Sequence, residues 1–490
     1  MTTTIPPEAA GRTDNATVNR QYSTGTALGL AFIIVSPVIA LFAILHMLVA
    51  TDGPRAALGI GVVLVGQILI CLSLAEMAAK WPVQGGIYQW VVRTIGVKAG
   101  WISGFLYMWT LIIALASLAV ACMGFADIVL GVTMSATWRL VFALAFIAAA
   151  VLLNVIGPTL LKIVVAVSVG MELVASVGIS VVLLLFHRHQ PFSALFQALP
   201  ASAGTLGGGA AILSVMAVAG WAFLAFESAT DLAEEVRHPR RALPVAMLGA
   251  LLAVGVLVLL SYIAIVLAIP DYDELLASGE DPAAYALNVN LGAWAPTVFY
   301  ALVLTSFFAG AVGIVAGAAR VAWSYARDGR LPGSKRLSQL KTGRALPIPA
   351  MIMAGVVAAL IVVLSLADTI YTMLVSFVTF GFFQAMWLAL FGRMYQVVRG
   401  RWQAHPDGYR LGRASTPMAI AAFLWCTFEL VNVAWPRDTG SPWYVEWATI
   451  VVFVVLSGLG VVLASRYSVP RTPPVVDSLT TRQVSEPDTA

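Results

Sequence analysis

Twelve long apolar segments restrict the fold of this chain more than any other feature. A helix needs about 20 mostly apolar residues to cross a bilayer, and each segment is close to that length or longer. Hydrophobic residues make up 60% of the chain and charged residues 11%, against roughly 45–50% and ~25% in soluble domains. The sequence therefore predicts an all-α polytopic membrane protein. Its twelve predicted spans are 24–50, 57–79, 99–125, 137–156, 160–187, 207–231, 243–269, 292–326, 348–366, 368–395, 415–435 and 443–465.

The basic residues are concentrated in alternate loops. They occur around 80–98, 237–241, 327–344 and 393–413, whereas the loop after the seventh span is acidic. Because cytoplasmic loops carry an excess of lysine and arginine, this pattern predicts that both termini are cytoplasmic. The net charge of +4 is too small to indicate nucleic-acid binding.

Two of the predicted spans are interrupted near their middle. The first contains Ser36-Pro37, and the sixth is broken around Gly220 to Ala225. Proline cannot donate a backbone hydrogen bond and kinks a helix. Broken spans at corresponding positions in two halves mark the binding site of many transporters. The alternative for Ser36-Pro37 is a simple kink, since proline is common in membrane helices.

The spacing of the two interruptions predicts an internal repeat. Five spans separate them, an odd number, so the two halves must be inverted relative to each other. The predicted organisation is a five-plus-five inverted repeat with two extra helices. Its parts are a cytoplasmic tail at 1–21, repeats at 22–190 and 204–396, two further helices at 412–466 and a second tail at 467–490.

Trp221, Phe226 and Glu227 lie at membrane depth in the sixth span. A carboxylate in hydrocarbon is costly and is a functional-site hypothesis by default. A tryptophan face attracts an amine, and the ends of broken helices suit the two charges of a zwitterion. These residues therefore form a candidate substrate site. The alternatives are a structural acid at Glu227 and core- or lipid-facing aromatics at the other two positions.

Glu172 is a second deep acid, in the fifth span, with glycines on both sides that suggest close helix contact. Because desolvation disfavours the charged form, such an acid suits a proton carrier. The alternative is a neutral acid that only hydrogen-bonds to its surroundings. No spacing of histidine, cysteine and acidic residues indicates a metal site or a catalytic nucleophile.

Three motifs in the chain resemble those of the amino acid–polyamine–organocation superfamily. They are AEMAAKWPVQGGIYQW at 75–90, FESATDLAEEVRHPRRALP at 226–244 and RVAWSYARDGRLP at 320–332. The resemblance covers helices one to ten and points to the amino acid/choline permease branch. It implies a LeuT-like fold with the substrate between helices 1, 3, 6, 8 and 10.

The resemblance also implies roles for particular residues. Val35, Ser36 and Pro37 match the unwound segment where relatives hold the substrate carboxylate, although that segment is often glycine-rich and Pro37 replaces a small residue here. Trp221 matches an aromatic gate. Glu172 lies near the position where proton-coupled relatives have a lysine in place of a sodium ion, so the coupling ion is left open between proton and sodium.

The sequence thus predicts a secondary transporter of an amino acid or related amine in the cell membrane, without an enzymatic cofactor. The alternatives are a choline, GABA or polyamine transporter and an amino acid exchanger. A membrane sensor is a different class, but it would normally carry a soluble signalling domain, and the loops here are short. An intramembrane enzyme would need a polar catalytic cluster, which is not visible.

Overall fold

The structure is a computed structural model that describes residues 23–198, 207–340, 346–364, 370–437 and 443–467. Within these ranges, eleven helices are long and apolar enough to cross a membrane. The ninth predicted span is the shorter apolar helix Ile348–Leu364. The prediction of an all-α polytopic membrane protein is confirmed. The predicted tails lie outside the described residues, apart from Tyr467.

We number these eleven helices and the shorter apolar helix together as α1 to α12 in chain order, giving two parts for α1 and α5. They are α1 (Thr24–Val35 and Pro37–Phe42), α2 (Ala56–Lys80), α3 (Val97–Leu130), α4 (Ala136–Ile156), α5 (Pro158–Leu173 and Ile179–Phe186), α6 (Gly207–Ala219), α7 (Pro239–Ala268), α8 (Trp294–Arg327), α9 (Ile348–Leu364), α10 (Ile370–Val398), α11 (Ser415–Ala434) and α12 (Ala448–Tyr467). Shorter helices connect them at Leu45–Asp52, Gly86–Thr94, Tyr272–Ser278, Pro282–Leu291, Ser334–Leu337 and Trp443–Glu446.

Ser36 divides α1 into its two parts. Its N–H donates to the Phe32 carbonyl at 2.7 Å and closes the first part, while its hydroxyl accepts from the Ile39 N–H at 3.1 Å and caps the second part. Pro37 follows at the first helical position, where its missing N–H costs least. Ser36 has a φ of 41°, which is uncommon for a residue other than glycine. The predicted interruption of the first span is therefore present.

The break in α6 is longer. The α-helix ends at Ala219, and a 3₁₀ turn follows over Gly220–Phe223. Leu224 is extended, and Ala225 has a left-handed φ of 65°. A second 3₁₀ segment then covers Phe226–Leu232. Because 3₁₀ turns and a left-handed residue interrupt the i→i−4 ladder, main-chain groups of this segment become available to other partners.

The helices pack so that the two breaks lie against each other. The first part of α1 contacts Phe226–Leu232, and its second part contacts Gly220–Phe223. Around them, α3 runs along α8 and α10, and α7 packs against α1 and α2. The division into repeats at 22–190 and 204–396 stays a prediction, but the two interrupted spans that it requires meet at one place.

Candidate functional site

The contact between the two breaks joins one aromatic side chain to one main-chain carbonyl. The indole N–H of Trp221 donates to the Ile39 carbonyl at 3.5 Å, a long hydrogen bond, and the side chain is 8% exposed. On the other face of the break, a Cβ added at Gly220 would lie 2.9 Å from the Phe383 ring of α10. The α6 break is thus held between α1 and α10.

Glu172 of α5 reaches the α1 break. The Ser36 hydroxyl donates to Glu172 Oε1 at 2.8 Å, across 136 residues of sequence. The Ser168 hydroxyl donates to the same oxygen at a longer 3.4 Å. The Glu172 side chain is completely buried, and within the described residues its Oε2 has no hydrogen-bond partner. The structure therefore brings the predicted coupling residue to the predicted substrate segment.

The helix around Glu172 is irregular, which the sequence did not predict. A π-helical turn over Val174–Gly178 follows the acid, and such turns often occur at functional sites.

The prediction of close helix contact at the glycines that flank Glu172 is wrong. A Cβ at Gly170 would meet nothing within 4 Å, and one at Gly178 would meet only a valine of its own helix at 4.0 Å.

Glu227 lies on the second 3₁₀ segment of α6 and is 2% exposed. The hydroxyl of Tyr107, on α3, donates to Glu227 Oε1 at 3.1 Å. The Tyr107 ring also makes an edge contact with Phe382 of α10, with 5.7 Å between the ring centroids. Sequence reasoning missed Tyr107, although a tyrosine inside the apolar run of the third span was a visible signal.

The remaining predicted site residues are placed less informatively. Val35 and Pro37 flank Ser36 and are buried. Phe226 is 0% exposed, and no hydrogen bond or ring contact of the described residues joins it to the other site residues. Its predicted role in substrate binding therefore stays a prediction, as do the roles of the whole set.

The three sequence motifs converge where the basic loops lie. The Tyr88 hydroxyl donates to Asp328 at 3.2 Å and accepts from Arg330. The Gln84 N–H donates to Glu234 at 3.3 Å. Burial, followed by the neighbouring Asp328 carboxylate, raises the pKa of the Tyr88 hydroxyl above its usual range. These contacts tie the segment after α2 to the residues that follow the α6 break and to the residues that follow α8.

The chemistry available at the breaks is that of two buried carboxylates, hydroxyl donors and main-chain groups. Among the residues that the structure describes, no cluster of histidine, cysteine and acidic side chains has a metal-binding arrangement. A buried carboxylate takes up a proton, or it accepts charge-assisted hydrogen bonds from an ammonium group. The arrangement therefore suits a cationic or zwitterionic ligand better than an anion.

Comparison with known proteins gives matches to one family model and to several transporters. The model of a family described as "Amino acid permease" matches residues 26–456. The chain is 25% identical to a choline transporter of Saccharomyces cerevisiae over 369 residues, 72% of this chain and 65% of that protein. It is 24% identical to a branched-chain amino acid permease of Bacillus subtilis over 437 residues, 85% of this chain and 86% of that protein. It is 23% identical to a putative amino acid/polyamine transporter of Macrophomina phaseolina over 427 residues, 84% of this chain and 93% of that protein.

Proposed function

Because the chain belongs to the amino acid permease family, we propose that it moves an amino acid or related amine across the cytoplasmic membrane by alternating access. The observation that carries the proposal is the meeting of the α1 and α6 breaks, with Glu172 bonded to Ser36 and Glu227 bonded to Tyr107. Broken helices at membrane depth are how secondary transporters bind polar substrates. The family assignment also supports a transporter rather than an enzyme.

In the proposed site, the substrate amine binds near Glu227. That carboxylate is buried and already accepts one hydrogen bond from Tyr107, and a substrate ammonium group adds a charge-assisted one. Trp221 lies on the same broken helix and closes over the substrate. A substrate carboxylate, where present, binds at the start of the second part of α1, beside Ser36 and Pro37, because the dipole of a helix start favours negative charge.

The proposed coupling ion is a proton on Glu172. A buried carboxylate that accepts hydrogen bonds from Ser36 and Ser168 exchanges a proton with little change in shape. Binding or release of that proton changes the strength of the bond to the α1 break, because hydrogen bonds to charged groups are roughly twice as strong as those to neutral ones. Sodium coupling is the competing outcome of the test below.

The proposed location is the cytoplasmic membrane, with both termini in the cytoplasm. Lysine and arginine in the loops around 80–98, 237–241, 327–344 and 393–413 support this orientation. A choline-like amine is a second candidate substrate class, since it needs only the acid and the aromatic at the α6 break, and a choline transporter is among the relatives.

The test is uptake by purified protein in vesicles. A thermal-shift screen of amino acids, polyamines and choline first selects ligands, and labelled ligand is then offered with an inward proton gradient, a sodium gradient or neither. We expect accumulation driven by the proton gradient. Uptake that requires sodium and ignores pH contradicts the coupling, and the absence of accumulation or exchange for every ligand that shifts the melting temperature contradicts transport.

A further inference from the structure

Gln67, in the middle of α2, is a buried polar side chain with no role so far. It is 0% exposed, and within the described residues neither its amide nitrogen nor its amide oxygen has a hydrogen-bond partner. A buried amide without partners typically costs about 1–3 kcal/mol. A buried polar group that is left unsatisfied in a native structure needs an explanation.

The neighbours of α2 show which way Gln67 faces. At about 100° per residue, Gly59 and Leu64 lie on either side of Gln67 around the axis of α2. On one side, Gly59 approaches Val215 of α6. On the other, Leu64 packs against Gly255 of α7. Gln67 therefore faces the gap between α6 and α7.

The α6 break fills that gap. Both 3₁₀ segments of α6, Gly220–Phe223 and Phe226–Leu232, pack against α2. Tyr107 contacts the same break from a different helix, α3.

The break offers the chemistry that an amide needs. Leu224 is extended and Ala225 is left-handed, so main-chain N–H and C=O groups there are released from the helical ladder. A carboxamide has two donors and two acceptor lone pairs, and it can bond both kinds of group. In the conformation described here these bonds are not made.

We propose that Gln67 is a positioning residue for transport, whose carboxamide bonds main-chain groups of the α6 break in a second conformation of the cycle. The inference builds on the proposed alternating-access function. Gln67 stabilises the second conformation and is unsatisfied in the first, so it narrows the free-energy gap between the two. It acts through α6 and does not touch the substrate.

The test is Gln67→Met, which keeps the length of the side chain and removes its polar atoms. Relieving the unmet bonds should raise the melting temperature by about 1–3 °C. Loss of the bonds in the second conformation should lower the maximal uptake rate by about tenfold, with substrate affinity within about twofold of wild type. Leu74→Met is the matched control on the same buried helix, and it should change neither. Gln67→Asn keeps the carboxamide and should restore part of the rate.

Two results overturn the inference. A melting temperature below wild type in Gln67→Met means that the amide is already bonded in the present conformation. An unchanged uptake rate means that no second conformation needs it. Both results concern the variant only and are compatible with transport by the wild-type protein. Failure of the wild-type protein to transport any ligand would instead contradict the proposed function itself.

Discussion

Ser36→Ala removes two interactions with one hydroxyl, and the structure gives a magnitude for each. Loss of the cap on the Ile39 N–H, 3.1 Å away, costs about 1 kcal/mol. Loss of the bond to Glu172, at 2.8 Å, costs about 1.5–3 kcal/mol if the carboxylate is charged and about 1 kcal/mol if it is protonated. The total is about 2.5–4 kcal/mol for a charged acid and about 2 kcal/mol for a neutral one.

The assay is the melting temperature of the purified protein across pH. With an unfolding entropy of about 2 cal/mol/K per residue, the larger loss lowers the melting temperature by about 3 °C. Ser168→Ala is the matched control. It removes a donor to the same oxygen at 3.4 Å and caps no helix, so its effect should be much smaller.

A double-mutant cycle isolates the bond. Glu172→Gln keeps an acceptor for Ser36 but removes the charge, so Ser36→Ala should cost less in that background than in wild type. The difference should vanish at a pH where Glu172 is protonated. Equal losses from Ser36→Ala in both backgrounds at every pH, or equal losses from the two serine variants, would refute a state-dependent bond at the α1 break.

Further predictions concern transport and packing. Trp221→Ala should weaken apparent substrate affinity by about tenfold, the scale of a desolvated cation–π contact; unchanged uptake kinetics would remove it from the site. Glu172→Gln should abolish the response of uptake to a proton gradient while exchange of labelled for unlabelled substrate continues, and a retained response would show that the proton binds elsewhere. Gly220→Ala should slow uptake and destabilise the protein by about 1–3 kcal/mol, because its Cβ would lie 2.9 Å from Phe383. Gly458→Ala, where a Cβ meets nothing within 4 Å, should be neutral, and an equal loss in both variants would contradict the packing argument.

The spans and the two breaks follow from the sequence because their physical causes are local. Length and hydropathy define a spanning helix, and Ser36-Pro37 disrupts the helical ladder wherever it lies in an apolar run. The third element of the site, Glu172, was identified as an acid inside an apolar span, where burial is costly, and by its place near a functional position of the family that the chain resembles. Its bond to Ser36 across 136 residues was not predictable without the packing of α5 against α1.

Sequence reasoning missed residues whose role depends on packing between helices rather than on a local sequence pattern. Tyr107 and Gln67 are polar side chains in mostly apolar helices, and only the placement of the α6 break beside them points to a role. The left-handed Ala225 is a similar case, since alanine does not favour positive φ. The 3₁₀ segments on either side of it both pack against α1, α2 and α7, so its conformation depends on tertiary packing that the sequence does not show. The glycines around Glu172 misled for the complementary reason, because small size permits close contact but does not create it.

The central claim is that the α6 break binds the substrate through Glu227. Glu227→Gln keeps the size of the side chain and removes its charge. A charge-assisted hydrogen bond contributes roughly 1.5–3 kcal/mol, which corresponds to an affinity loss of about tenfold to a hundredfold. The matched control is Glu429→Gln on α11, an acid that is likewise buried and accepts a hydrogen bond from the Asn432 amide at 3.3 Å.

The most direct measurement is the dissociation constant of the best ligand from the thermal-shift screen, with the melting temperature, for wild type and both variants. The account predicts an affinity loss of about tenfold or more for Glu227→Gln and wild-type affinity for Glu429→Gln. Equal affinities in all three proteins, with a lowered melting temperature for Glu227→Gln, would show that Glu227 only ties α6 to α3 and would contradict the claim.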